Sequence, residues 1–162
     1  MKIRPARVEE ADLLSALCMR SKAHHGYSAD FMALCEPVLR VRAEDIEAGH
    51  VWVAERNGRI VGTIGILPDE TGESAELDKV FVQPEAIGGG VGAALMAQAV
   101  AATRALGIGK LEILSDPHAA GFYEKFGAVR IGEAPSDAIP GRLLPRYELR
   151  LDGECQDTRS SS

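Results

Sequence analysis

The sequence predicts a mixed α/β domain built on a central sheet, and three observations carry that prediction. An Asn-Gly dipeptide joins two β-rich runs, a glycine-rich loop connects a strand to a well-patterned helix, and another strand follows that helix. Asn-Gly between such runs marks a hairpin, because both turn residues take positive φ. The strand, helix, strand order marks a single parallel crossover, expected to be right-handed. At 162 residues the chain can bury one sizeable core but not two, so one domain over residues 1–151 is expected.

The elements follow in order. Val8 to about Ala23 reads as a helix, with Ala11, Leu14, Leu17 and Cys18 at spacings of three and four and with Glu9, Glu10, Asp12 and Arg20 on the polar face. His24-His25-Gly26-Tyr27 breaks that pattern, and Ser28 caps a short helix through Leu34. Another short helix spans Ala43 to Ala48 and stops at Gly49. The hairpin pairs Val51–Arg56 with Arg59–Ile66, and Ala75–Val82 makes the next strand. After the loop from Gln83 to Gly90, a helix runs to Leu106, with Val91, Leu95, Ala99, Ala102 and Leu106 on one face. Lys110–Leu114 is the strand that completes the crossover. Asp116 caps the following helix, Pro117 suits its first turn and Gly127 its left-handed exit. Strands at Ala128–Gly132 and Arg146–Leu151 flank a Pro-rich stretch, and Asp152–Ser162 is expected to be a disordered tail.

Composition excludes several function classes. No apolar stretch approaches the roughly 20 residues of a membrane span, and Met1-Lys2-Ile3-Arg4-Pro5 lacks the apolar run of a secretion signal. A cytoplasmic location, with no membrane partner, is therefore expected. A net charge of −6 without a Lys/Arg run argues against nucleic-acid binding. Cys18, Cys35 and Cys155 are odd in number and widely spaced, which suggests neither a disulfide framework nor a metal site.

The chemistry resides in Ile87-Gly88-Gly89-Gly90-Val91-Gly92-Ala93. A helix N-terminus presents unpaired amides and the positive end of the helix dipole, and glycines let that backbone approach phosphate oxygens closely. The loop is thus an anion site suited to a pyrophosphate. Gly88-x-Gly90-x-x-Ala93, with Glu112 or Asp116 about 20 residues on, matches a dinucleotide fingerprint and keeps a small NAD(P)-binding oxidoreductase as an alternative. Against it, that fingerprint belongs at the first turn of a multi-unit parallel sheet, whereas here a hairpin comes first and one crossover follows.

The segment Glu76 to Met96 resembles the GNAT superfamily of acyl-CoA N-acyltransferases. Members carry a Val-x-Pro-like strand exit and then Gln or Arg followed by x-x-Gly-x-Gly or Ala; here these are Val82-Gln83-Pro84 and Ile87-Gly88-Gly89-Gly90-Val91-Gly92. Ala119-Ala120-Gly121-Phe122-Tyr123-Glu124-Lys125-Phe126-Gly127 resembles the family's second motif. The resemblance, over roughly residues 3 to 151, implies a GNAT-like fold with a central mixed, mostly antiparallel sheet of about six or seven strands flanked by about four helices. It implies acetyl-CoA as acyl donor, bound by Phe81, Val82, Ile87, Gly88, Gly89, Gly90, Val91, Gly92, Ala93, Asp116 and Phe122. Two positions depart from the pattern: Ile87 stands for Gln or Arg, and Asp116 for an Asn that donates to the pantetheine arm.

The reaction so implied is transfer of an acetyl group to a primary amine of a small molecule or peptide. Such an amine has a pKa of about 10.4 and arrives protonated, so a base is needed. By resemblance Glu76 is that base, directly or through water, with Asp78 on the same strand face as runner-up. Tyr123 is the acid that protonates the departing thiolate, and an amide of the Phe81–Val82 edge faces the thioester oxygen. His25 and Tyr27, with His24 and Phe31 nearby, belong to the region that faces the acceptor in this family. Trp52 is expected to pack in the core, and Arg142 and Arg146 to be solvated at the surface. Dimers are common among members, so a homodimer is compatible with the resemblance. A non-catalytic acyl-CoA sensor would share the loop and differ only in its acids and bases.

Overall fold

The computed structural model describes residues 1–151, so the tail expected over 152–162 and Cys155 lie outside the described residues. Seven strands form one sheet: β1 (Lys2–Pro5), β2 (Val51–Arg56), β3 (Arg59–Pro68), β4 (Ala75–Val82), β5 (Lys110–Leu114), β6 (Val129–Pro135) and β7 (Leu143–Arg150). Their order is β1-β2-β3-β4-β5-β7-β6. Every neighbouring pair is antiparallel except β4 with β5, as expected from one crossover.

The hairpin turn takes its predicted form, with Asn57 at φ 55° and Gly58 at φ 75°. β2 is buried on both faces. Trp52 and Ala54 point to one side, with Ile64, Ile66, Leu95, Met96 and Ala99, and Val51 and Val53 point to the other, with Leu14, Cys18, Cys35 and Leu39. The first side is covered by α4 (Val91–Ala105) and α5 (Ala120–Lys125), the second by α1 (Ala11–Ala23), α2 (Ala29–Leu39) and α3 (Ala43–Glu47). Among the described residues there are thus five α-helices where about four helices were expected. Burial pushes the Cys18 thiol up to about 12, which leaves it an apolar core residue rather than a nucleophile.

The differences from expectation have local causes. β1 carries no alternating pattern of its own and is defined by its pairing with β2. α2 is capped by Ser28, whose hydroxyl accepts from the Phe31 amide at 3.1 Å, but it continues past Leu34 and through Pro37 because Cys35 and Leu39 are buried beneath it. β6 and β7 extend into the Pro-rich stretch, pairing Pro135 with Leu143 and Glu133 with Pro145; Pro135 ends the edge strand β6, and Pro145 precedes the point, Arg146, where β7 begins to pair with β5. Leu106 lies beyond the end of α4 and is exposed, and Thr103 takes the buried position, its hydroxyl donating to the Ala99 carbonyl at 2.7 Å.

Candidate active site

The parallel pairing of β4 with β5 is confined to Ala75 with Leu111 and Glu76 with Glu112. Past Glu76 a register shift in β4 opposite Thr63–Gly65, with Lys79 at φ +49°, bends the strand. Bulges redirect side chains and end pairing in this way. A cleft of about 770 Å³ opens there, and Glu76, Asp78, Phe81, Asp116 and Tyr123 all line it.

The glycine loop begins just beyond β4. Gly88 and Gly90 take φ of 90° and 82°, with Gly90 as the left-handed N-cap of α4. Such φ values strain any residue carrying a Cβ. A Cβ on Gly92 would come within 3.0 Å of the Phe122 ring, so the absence of a side chain there lets α5 approach the first turn of α4. That ring is edge-on to Tyr123, with centroids 5.2 Å apart. Val91 is buried under Gly62 and offers the site only its backbone, whereas Ile87 is 56% exposed. Left-handed glycines, amides of a helix start and an aromatic wall fit a phosphate group followed by a slender apolar arm.

Tyr123 is buried, and burial, followed by the charge of Asp116, raises its phenol above the ordinary value. It is therefore a proton donor at neutral pH. Glu76 is half-buried, and desolvation raises its carboxyl, opposed by Arg146 and reinforced by Glu112 and Asp137. Arg146 Nη2 lies 3.6 Å from Glu76 Oε1 and donates to Glu112 Oε1 at 2.5 Å. Asp78 accepts from the Lys79 ammonium at 2.8 Å, so Glu76 is the carboxylate more available to a ligand.

The opposite wall is assembled from side chains distant in sequence. Asp116 accepts from Lys22 Nζ at 2.7 Å, from the Tyr27 hydroxyl at 2.9 Å and from the His118 amide at 2.9 Å. Arg142 in turn donates to the Tyr27 hydroxyl at 3.1 Å. Burial raises the Asp116 carboxyl, but Lys22, the His118 amide and Tyr27 outweigh it, and its net shift is downward. Tyr27 stacks on Phe31 at 4.2 Å, with Lys22 and Arg142 over the rings. His25 stacks on His118 at 4.3 Å, and burial together with His118 lowers its pKa, favouring a neutral imidazole.

Asp116, which stands where the family pattern has an Asn, lines the cleft with its carboxylate engaged by Lys22 and Tyr27. Arg142 and Arg146, expected to be solvated, are 21% and 25% exposed because Asp116, Tyr27, Glu76 and Glu112 surround them. Lys22, Arg56 and Asp137 drew no notice in the sequence; Lys22 sits on the polar side of an ordinary amphipathic helix, and only its partner marks it. A mostly antiparallel sheet also removes the dinucleotide alternative, which needs a doubly wound parallel sheet. Among the described residues no helix is long and apolar enough to cross a membrane, and no cluster of metal-ligating side chains occurs.

Comparison with known proteins agrees with this geometry. Residues 47–127, half of the chain, match the model of the acetyltransferase (GNAT) domain. No curated protein sequence matches the chain. Among solved structures, the PaiA N-acetyltransferase of Thermoplasma acidophilum in complex with coenzyme A superposes with a TM-score of 0.74 at 16% identity, over 92% of this chain and 98% of that one. A ribosomal-protein-alanine N-acetyltransferase from Brucella melitensis gives 0.69 at 24% identity, over 93% and 100%. The yncA protein of Salmonella typhimurium, solved with acetyl-CoA, gives 0.70 at 20% identity, over 94% of each. At these identities the likeness is one of fold.

Proposed function

The chain belongs to the GNAT acetyltransferase family, and from that premise we propose that it transfers an acetyl group from acetyl-CoA to a primary amine of a small molecule or peptide. The observation that carries this reading is that Glu76 and Tyr123, a carboxylate and a protonated phenol from different elements, line one cleft.

The loop Gly88–Gly92 and the first turn of α4 hold the phosphates through backbone amides, and Phe122 flanks the arm that leads into the cleft. Acetyl-CoA supplies an acyl carbon activated as a thioester. Glu76 takes a proton from the ammonium, directly or through water, and so frees the lone pair that attacks. Arg146 favours the ionised form of that carboxylate, opposing the desolvation and the neighbouring acids that raise it. As the C–S bond breaks, Tyr123 gives its proton to the departing sulfur, and the second proton of the attacking nitrogen returns to the tyrosinate and restores the phenol; burial of Tyr123 keeps competing water away. Opposite, His25, stacked on His118, borders the space for the acceptor, and Tyr27 stands behind it, held by Asp116 and Arg142.

A panel of amines assayed for free-thiol release from acetyl-CoA tests this reading. Release that depends on one amine class and is lost in Tyr123→Phe supports it. Tight acetyl-CoA binding with no release for any amine would sink it in favour of a sensing module.

A further inference from the structure

The run Gly88-Gly89-Gly90 contains one glycine whose reason differs from the others. Gly88 and Gly90 serve positive φ, but Gly89 does not. A Cβ on Gly89 would lie 3.1 and 3.2 Å from the two terminal nitrogens of Arg56. A Cβ there would crowd the guanidinium delivered from the end of β2, which would have to give by a few tenths of an ångström. Arg56 Nη2 donates to the Gly89 carbonyl at 3.1 Å, and its other close contact is the Met1 sulfur at 3.9 Å. Among the described residues no carboxylate pairs with it; its neighbour Glu55 lies 3.4 Å from Arg4. A guanidinium without a counter-ion therefore stands against a loop whose amides and helix dipole already attract anions. At the same loop, Ile87 puts an exposed apolar side chain where the family pattern has Gln or Arg.

We propose that Arg56 supplies, from the hairpin, the positive charge for the phosphates of the bound cofactor that Ile87 does not supply from the loop. The inference rests on the acetyl-CoA reading. It accounts for both irregularities together: the basic side chain has moved to another strand, and Gly89 makes room for it. The guanidinium carries five N–H donors in a planar fork. Donation to the Gly89 carbonyl leaves others for phosphate oxygens.

The test is calorimetric titration of the full chain with CoA at several salt concentrations, with no turnover involved. Arg56→Gln keeps a donor for the Gly89 carbonyl and removes the charge. It is expected to weaken CoA binding about tenfold and to flatten its salt dependence, because fewer ions are exchanged on binding. Ile87→Arg in the Arg56→Gln background is expected to recover most of the affinity and the salt dependence. Equal affinity of Arg56→Gln and wild type overturns the inference alone, as does weaker binding with an unchanged salt dependence, which would mark Arg56 as a loop support. Failure of the wild-type chain to bind CoA overturns the cofactor reading and this inference with it.

Discussion

The site has two walls, built by different means. One runs from β4, whose residues through Phe81 line the cleft, to the glycine loop and the start of α4 that follow it, and is made of backbone: a bulged strand, left-handed glycines and the start of a helix, all close in sequence. The other is made of side chains, with Lys22, Asp116 and Arg142 lining the cleft and Tyr27 tying them together, drawn from α1, the segment after β5, the segment before β7 and the loop after α1. The matched family model covers the first wall and omits α1 and α2. Backbone recognition depends on where glycines fall and hardly on other residue types, so one cofactor can be served by many sequences. Side-chain recognition changes with each substitution, which suits the part of a site that sets the acceptor.

If that division holds, the greatest effect comes from the backbone wall. Gly90→Val puts a β-branched residue at φ 82°, a strain of roughly 1–3 kcal/mol. Acetyl-CoA affinity should fall about 100-fold, measured by calorimetry, and by more than at any position on the side-chain wall. Next comes the chemistry between the walls. Tyr123→Phe should lower kcat about 100-fold, the lower end of what a positioned acid contributes, and leave the acetyl-CoA Kd unchanged.

A smaller change separates the walls most cleanly. Asp116→Asn keeps a helix cap, since Asn and Asp cap about equally well, but removes the charge that holds Lys22. Thermal melts should show a loss of about 1–3 kcal/mol, and the acceptor KM should rise several-fold while the acetyl-CoA KM stays put. A rise in the acetyl-CoA KM alone would break the distinction. The smallest effect is a displaced titration. A base works only when deprotonated, and burial raises Glu76, so kcat/KM should fall with decreasing pH through a group above the usual carboxylate range. Arg146→Met removes the opposing cation and should move that limb upward by about one pH unit; a downward move would contradict the assignment.

What could be read from the sequence divides along the same line. The Asn57-Gly58 turn, β4 and β5 follow from local patterns, and Ser28 and Asp116 cap where expected. The glycine loop was legible because its requirement is steric. Lys22 and Asp116 lie far apart in the chain, and nothing in either neighbourhood encodes their pairing; the fold alone brings them to 2.7 Å. Arg146 reads as a surface residue until β4, β5 and β7 lie side by side and put Glu76 and Glu112 around it. The extent of β6 and β7 was hidden for the opposite reason, since prolines signal a break that pairing overrode.

The short contact between β4 and β5 also has a mechanical meaning. β1 to β4 form one half-sheet and β5, β7 and β6 another, joined through the residue pairs at Ala75 and Glu76. Past that junction the edges of β4 and β5 part like the legs of a compass, and the gap is spanned by side chains instead of ladder bonds, with Asp116, just after β5, holding Lys22 of α1 and Tyr27. Glu76 sits at the vertex of that wedge, where backbone pairing fixes the spacing, while at the open end the spacing depends on contacts that a single substitution can cut.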